Sequence, residues 1–256
     1  MDALQRNREA FKNQSKGFSS EGNTYADEEG LTWMLADLPM SADSAVLDVA
    51  TGTGEFARAL APHVSTVIGL DATDAMMERG KEFAQRHEIT NITFKKGVAE
   101  TLPFQSGIFD IVSSRYAFHH FADPKTVLAE MARVCKAEGH IIVVDIVVPE
   151  QSDAAQYNHH ERLCDRSHTR CLGFTELQSL FCLSGSEVTS ARSRDIEEAV
   201  LDWLEFSLTP PRDRDELLRA INQELHGGPK TGLSPYERNS VLYFRQRDAA
   251  VVGRKS

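Results

Sequence analysis

Several features that mark other classes of protein are scarce in this chain of 256 residues. Basic residues number 28 against 38 acidic ones, which gives a formal net charge of −10. Nucleic-acid binding normally depends on basic patches that neutralise phosphates, so this balance argues against a nucleic-acid partner. Four cysteines in a chain of this length do not form a disulfide framework and fit a reducing compartment.

Long apolar runs are also missing. The nearest candidate, residues 141–148, is interrupted by Asp145 and is much shorter than the roughly 18 apolar residues of a membrane span. Residues 1–11 are polar and charged and lack the apolar segment of a signal peptide. We therefore expect a cytoplasmic protein without membrane insertion. Its length predicts one domain with additions.

What the sequence does contain is a glycine turn between a buried strand and a helix. Residues 45–49 are apolar apart from Asp48, and Gly52 and Gly54 follow. Glycines let a ligand approach the backbone and permit positive φ angles, and the helix that begins here directs free N–H groups to the same place. Such a turn is typical of sites for nucleotide-like ligands. Gly52-x-Gly54-x-x-Ala57 formally fits the dinucleotide fingerprint.

Two acidic residues argue against a dinucleotide. Asp48 lies inside the first strand, where a carboxylate is a poor neighbour for a pyrophosphate and a good one for an ammonium group. Asp71 ends the next strand, which begins near Thr66, and is placed to bind both hydroxyls of an adenosine ribose. An NAD(P)-dependent oxidoreductase nevertheless stays open as the alternative.

A series of motifs in a fixed order extends this pattern. Asp48-Val-Ala-Thr-Gly-Thr-Gly and Asp71 resemble motifs I and II of class I S-adenosylmethionine (SAM) methyltransferases. The resemblance continues through Gly97-Val-Ala-Glu100, Phe109-Asp-Ile-Val112, Phe118-His-His-Phe-x-Asp-Pro124 and Glu130-Met-Ala-Arg-Val-Cys-Lys136. It covers about residues 44–148, and it is similar to the small-molecule branch related to the ubiquinone and menaquinone biosynthesis methyltransferases.

The resemblance implies SAM as the cofactor and S-adenosylhomocysteine as its product. In this family the glycine turn accommodates the methionine portion, the acid after the second strand binds the ribose, and the loop after the third strand holds adenine. The cofactor residues implied are Asp48, Ala50, Gly52, Gly54, Asp71, Ala72, Met76, Val98, Ala99, Glu100 and Arg115. Val98 stands where the family usually has aspartate, so the backbone around Val98 and Ala99, together with Glu100, is expected to contact adenine.

The loop after the fourth strand borders the expected position of the methyl group, because ligands of an open parallel sheet sit beyond the carboxyl ends of its strands. His119 and His120 lie in this loop and are the candidate catalytic bases, with His120 favoured, since histidine titrates near neutral pH. The acceptor is expected to be a small molecule that offers oxygen, carbon or nitrogen, and the fold does not identify it. The candidate acceptor-binding residues are Phe18, Tyr25, Tyr116, Tyr157, His160 and His168.

Alternation of strand and helix predicts a Rossmann-like, doubly wound α/β sheet with helices on both faces. The resemblance implies seven strands, mostly parallel, with the last antiparallel between the fifth and sixth. We divide the single domain into an N-terminal helical cap (1–40), a SAM-binding core (41–149), a lid insertion helical near 154–164 (150–173), and a C-terminal part with acceptor-side helices (174–256). A helix is also expected near residues 196–206. A homodimer is compatible with these features, which do not define the oligomeric state.

Three further hypotheses concern the lid and the cofactor. The lid contains residue types that bind metals, but it has no Cys-x-x-Cys or His-x-x-x-His pair, so we expect no metal centre. These residues are His159, His160, Glu161, Cys164, His168 and Cys171. A cysteine-dependent arsenite methyltransferase is disfavoured because Cys135 is expected in the core and the other cysteines lack matching spacing. A SAM-binding protein of this fold without transferase activity stays open, since the motifs concern cofactor binding.

Overall fold

The computed structural model describes Phe11 and residues 28–256, and Phe18 and Tyr25 lie outside the described residues. The strands are β1 (Ala45–Val49), β2 (Thr66–Asp71), β3 (Ile92–Lys96), β4 (Phe109–Arg115), β5 (Cys135–Val148), β6 (Leu172–Gly173), β7 (Ser186–Ala199), β8 (Tyr236–Arg238) and β9 (Val241–Lys255). The helices are α1 (Glu28–Leu35), α2 (Glu55–Leu60), α3 (Asp74–Arg86), α4 (Pro124–Val134), α5 (Ala154–Cys164), α6 (Phe174–Leu183), α7 (Val200–Phe206) and α8 (Pro211–Leu225). Of the helices in these described ranges, none has the length and hydropathy of a membrane span.

The nine strands belong to one sheet, in which seven of them follow the order β3-β2-β1-β4-β5-β9-β7. Strands β1 to β5 pair in parallel, whereas β9 lies antiparallel between β5 and β7. This order confirms the predicted doubly wound sheet and the position of its last long strand. The short strands β6 and β8, which pair with β5 and β9, were not predicted.

The order of strands reverses between β1 and β4. Along the chain, β2 and β3 are added to one side of β1, and β4 and β5 are added to its other side. At such a switch point the loops after the two central strands diverge and leave a crevice beyond their carboxyl ends. The fold therefore places the turn after β1 beside the loop after β4, which are the two segments that carry most of the sequence motifs.

Apolar side chains of the central strands are buried on both faces of the sheet. Val46 belongs to a core formed with α1 and α2, and Leu47 belongs to a second core formed with α4 and α6. Alternation between two cores explains why these strands are apolar almost throughout, as is typical of parallel sheets covered on both sides. A third core, which includes Trp203, Leu217 and Phe244, packs α5, α7 and α8 beside the ends of β5 and β9.

The prediction of a helix near residues 196–206 is wrong at its N-terminal end. Strand β7 continues to Ala199, and α7 begins only at Val200. Residues 196–199 pair with residues 243–246 of β9, so interstrand hydrogen bonds fix this segment as strand. Its local helical periodicity is overridden by long-range pairing, an ordinary outcome for short amphipathic segments.

Two buried carboxyl groups interact electrostatically where β7 meets β9. Glu198 is 4% exposed and Asp248 is fully buried. Burial raises the pKa of Glu198 to about 7, and the neighbouring charges of Asp248 and Asp202 add to the increase. Burial also raises the pKa of Asp248 to about 6, although the Tyr116 hydroxyl, which donates a hydrogen bond to Asp248 Oδ2 at 2.6 Å, opposes the change.

Glu198→Gln is therefore expected to raise the free energy of unfolding at about pH 8 and to leave it nearly unchanged at about pH 5. The folded-state pKa of about 7 lies above the ordinary value of 4.5, so the unfolded chain releases this proton first. Glu198 consequently reduces stability as pH rises between these values, by at most about 3 kcal/mol. Urea unfolding at both pH values measures the effect, with the exposed Glu150→Gln as control. Equal effects at both pH values would contradict the assignment.

Candidate active site

A cavity of about 410 Å³ lies at the carboxyl ends of the strands. This volume is within the range typical of small-molecule sites. We call the part lined by side chains and backbone from segments 48–56, 70–76 and 97–100, though not by every residue in them, the cofactor half. The part lined by residues 115–122, 161–168 and 203–207, with Phe11, Ile146 and Gln246, is the acceptor half. The two halves lie on opposite sides of the switch point between β1 and β4.

Asp71 holds two turns of the cofactor half together. Its Oδ2 accepts a hydrogen bond from the backbone N–H of Gly52 and its Oδ1 from that of Thr73, both at 2.8 Å. Burial raises the pKa of Asp71, and these hydrogen bonds oppose the increase. Each carboxylate oxygen has a second lone pair, so both can still accept a hydroxyl donor from the cavity.

Asp48 is buried under the glycine turn. Its Oδ2 accepts from the Thr51 hydroxyl at 2.6 Å and its Oδ1 from the Ser113 hydroxyl at 2.7 Å. Burial raises the pKa of this carboxyl to about 6, while the two hydrogen bonds lower it. A positively charged group in the cavity beside Asp48 would favour the ionised form.

Gly52 and Gly54 have different structural roles in this turn, although both were expected to contact the cofactor. Gly52 lines the cavity with φ of +57°, and no atom lies within 4 Å of where its Cβ would be. Gly54 does not line the cavity. Its φ is +76°, and a Cβ there would lie 2.8 Å from Phe94 Cζ. Gly54 is therefore needed for close packing of the turn on Phe94 rather than for ligand approach.

Gly54→Ala is expected to destabilise the fold more than Gly52→Ala. Both alanines acquire the strain of a left-handed conformation, about 1–2 kcal/mol. Gly54→Ala adds the overlap with Phe94, for a total of about 2–4 kcal/mol. Denaturant unfolding measures both changes. Combining Gly54→Ala with Phe94→Leu should recover the excess, and equal losses for the two single variants would contradict the packing role.

The remaining cofactor residues named from the sequence lie around the same half. Ala72, Met76, Val98, Ala99 and Glu100 all line the cavity. An isolated antiparallel bridge between Val98 and Thr101 shapes the loop after β3. Met76 is only 3% exposed, so its side chain contributes both to the core and to the cavity wall.

Arg115 lines the cavity together with an acidic partner that the sequence did not reveal. Its guanidinium forms an ion pair with Glu55 at the start of α2. It also lies 5.1 Å from the centroid of the Tyr116 ring. Any carboxylate ligand that binds Arg115 must therefore share it with Glu55.

His119 and Asp145 form a buried pair in the acceptor half. His119 Nδ1 lies 2.5 Å from Asp145 Oδ1, and Asp145 Oδ2 accepts the backbone N–H of Phe118 at 2.5 Å. Burial lowers the pKa of His119, but the charge and hydrogen bond of Asp145 outweigh it, so the net shift is upward. The carboxylate partner assigns the proton to Nδ1 and leaves Nε2 as the proton acceptor.

The two other histidines of the acceptor half are held neutral. The His120 ring centroid is 3.9 Å from that of His119, and its pKa is lowered to about 4 by burial and by the His119 charge. His168 Nε2 lies 2.8 Å from Asn158 Oδ1, and burial lowers its pKa to about 2. His120 was the histidine favoured from the sequence. Both His119 and His120 line the cavity, but it is His119 that pairs with a carboxylate, that of Asp145.

Tyr157 and His160 do not line the cavity, contrary to expectation. Tyr157 is fully buried in the third core, where its backbone packs against Gly232. His160 Nδ1 lies 2.8 Å from the carbonyl oxygen of Gln156, inside the same helix. Helix α5 packs against α8, and this contact buries both side chains away from the cavity. Of the other acceptor residues named from the sequence, Tyr116 and His168 do line it.

Sequence reasoning missed several polar or aromatic residues of the site. They include Glu55, Asp145, Glu161, Trp203 and Gln246. Asp145 carried a usable signal, because it interrupts an apolar strand just as Asp48 does. Glu55 directly follows the glycine turn, whereas Glu161, Trp203 and Gln246 lie in segments without a motif. Among the described residues, no group of three or more His, Cys, Asp or Glu is arranged to hold a metal ion.

The strand order, the glycine turn after β1 and the acid that ends β2 define a class I methyltransferase fold. Residues 40–201 match the family model described as a methyltransferase domain, and the chain belongs to this family. An uncharacterised methyltransferase of Bacillus subtilis, YcgJ, is 34% identical over 212 residues, which cover 80% of this chain and 84% of that protein. A demethylmenaquinone methyltransferase of Thermotoga maritima is 36% identical over 41% of this chain and 44% of its own length.

Solved structures show the same likeness over most of the chain. The crystal structure of YcgJ superposes with a TM-score of 0.81 at 29% identity and covers 90% of this chain and 99% of that one. A putative methyltransferase of Bacillus halodurans gives a TM-score of 0.80 at 27% identity and covers 89% and 99% of the two chains. The protein is therefore a methyltransferase of the class that the sequence motifs predicted.

Proposed function

We propose that this protein transfers a methyl group from SAM to a small-molecule acceptor. The observation that supports it most strongly is one continuous cavity that joins the Asp71 and Gly52 turn to the His119–Asp145 pair. One half has the groups that a nucleoside with an amino-acid tail requires. The other half has His119, a candidate base, beside apolar walls, and methylation of a small molecule can use a base to remove a proton and apolar walls to hold the acceptor.

The side chains of the cofactor half fit SAM in the orientation that the family resemblance implies. Asp71 would accept the ribose hydroxyls through its second lone pairs, and Asp48 would lie near the amino group of the methionine portion. Met76 and residues 98–100 would enclose adenine. This orientation would direct the methyl group toward the loop after β4, because that loop lies across the switch point from the proposed ribose site.

Bound SAM supplies a methyl group on a positively charged sulfur. His119 Nε2 accepts a proton from the acceptor atom as that atom forms its bond to the methyl carbon. Asp145 stabilises the resulting imidazolium through Nδ1. On transfer, the sulfur of the cofactor would keep the electron pair of the carbon–sulfur bond, and S-adenosylhomocysteine would be the product. The cavity walls hold the acceptor in line with the bond that breaks, and positioning of this kind supplies much of the acceleration.

Calorimetric titration with S-adenosylhomocysteine, NAD and NADP tests the cofactor. We expect a dissociation constant near about 1 μM for S-adenosylhomocysteine, close to −8 kcal/mol, and none measurable for the dinucleotides. Preference for a nicotinamide dinucleotide would contradict the proposal. Formation of labelled product from methyl-labelled SAM with an acceptor panel then separates a transferase from a protein that only binds SAM.

A further inference from the structure

Glu161 is a buried carboxyl group in the wall of the acceptor half. It lies on α5, is 3% exposed and lines the cavity. Its Oε1 has no hydrogen-bond partner among the described residues. Burial raises the pKa of Glu161 to about 7, and side-chain hydrogen bonds with Tyr157 and Gln246 and the charge of His119 oppose the increase. A buried carboxylate oxygen without a donor is unfavourable, so a donor or a cation beside Oε1 would be bound strongly.

Aromatic rings stand in the same half of the cavity. Trp203 and Phe206 of α7 line it, and the Trp203 ring is held by Phe244 at a centroid distance of 4.6 Å. Phe11 lies edge-on to His120 at 4.8 Å. Aromatic faces attract cations, and the attraction is larger in a site shielded from water.

The negative charge of the acceptor half also favours a cation. Asp165 lines the cavity beside Glu161 and adds a second carboxylate, whose Oδ1 accepts from the backbone and hydroxyl of Ser167. Among the described residues around the whole cavity, Arg115 is the only arginine or lysine, and it is already paired with Glu55. The described walls therefore complement a positive group and offer no unshared cation to a carboxylate or phosphate.

We infer that the acceptor of this enzyme carries a protonated amine or a cationic nitrogen heterocycle, which Glu161 binds next to the rings of Trp203 and Phe206. The inference rests on the proposed function, because it assigns the chemical class of the acceptor for that reaction. Glu161 acts here as a binding residue. The cationic group need not be the atom that is methylated, which lies beside His119.

Three probes that share a 2-phenylethyl group test the inference on protein saturated with S-adenosylhomocysteine. Phenethylamine is cationic, 2-phenylethanol is neutral and 3-phenylpropionate is anionic. Calorimetry is expected to show the amine binding at least about 10-fold more tightly than the alcohol, because a hydrogen bond between charged groups is stronger than one to a neutral group, and the acid binding most weakly. Glu161→Gln should abolish the preference for the amine. Glu205→Gln removes the same charge from the exposed side of α7 and should preserve it.

The outcomes separate this inference from the proposed function. Loss of S-adenosylhomocysteine binding in the native protein would contradict the proposed function itself. If S-adenosylhomocysteine binds but the three probes bind with equal affinity, or the amine does not bind, the inference about the acceptor is overturned. The proposed methyltransferase function is then unaffected. A preference for the amine that persists in folded Glu161→Gln also overturns it. The comparison of probes on the native protein decides the matter even if Glu161→Gln does not fold.

Discussion

Replacing His119 with alanine is expected to lower the rate of methyl transfer by about 10²- to 10⁴-fold, the usual contribution of a general base. Its imidazole is the one that the structure pairs with a buried carboxylate, Asp145. Affinity for S-adenosylhomocysteine should change little, because His119 lies in the acceptor half and the groups assigned to ribose and adenine lie across the switch point.

Single-turnover transfer from labelled SAM to an acceptor found in the panel measures this loss. His159→Ala is the matched control, since His159 is an exposed histidine on α5 and does not line the cavity. A loss confined to His120→Ala would instead assign the base to His120. An unchanged rate in both variants would show that positioning alone supports the reaction.

Asp145→Asn gives a readout that does not need the acceptor. The Asp145 carboxylate raises the pKa of His119 against the opposing effect of burial. Its neutral replacement should therefore lower that pKa, and proton NMR titration of the imidazole measures the change. Asp145→Asn should also slow transfer, because the amide can stabilise the wrong tautomer of His119. An unchanged pKa would mean that the pair is not formed in solution.

Replacing Asp71 with alanine is expected to weaken binding of S-adenosylhomocysteine by roughly 1–3 kcal/mol, which is about 5- to 150-fold. The loss has two physical sources. The ribose hydroxyls lose a charged acceptor, and the N–H groups of Gly52 and Thr73 lose the carboxylate that joins their two turns.

Calorimetry on Asp71→Ala and Asp71→Asn measures these losses. The asparagine retains one oxygen acceptor without the charge, so it should bind with intermediate affinity. Asp74→Ala is the control, because Asp74 lies three residues further along the chain but its side chain is 61% exposed and pairs with Lys96 at the surface. Unchanged affinity in Asp71→Ala would contradict the ribose assignment.

The sequence by itself determined the central part of this protein. Strands β1 to β5 and the helices between them follow from local signals, namely apolar runs, glycines and capping residues that act over a few neighbours. Gly52 and Asp71 were identified because the turn and the acid that follow a buried strand must reach the same edge of a parallel sheet. Asp48 was identified because a carboxylate at this point suits an ammonium group better than a pyrophosphate, and because it begins the sequence that resembles motif I of class I SAM methyltransferases.

Only the tertiary structure decided which side chains pair in the acceptor half, although Tyr116, His119, His120 and His168 were named from the sequence. His119 and Asp145 are 26 residues apart, and Tyr116 reaches Asp248 across 132 residues, so no local pattern reports either pair. Glu161, Trp203 and Gln246 come from two helices and a strand that the third core packs together. The same packing turns Tyr157 and His160 away from the cavity, and contact with Phe94 gives Gly54 its structural role. Side-chain direction in these segments depends on which element each one packs against, and sequence periodicity does not contain that information.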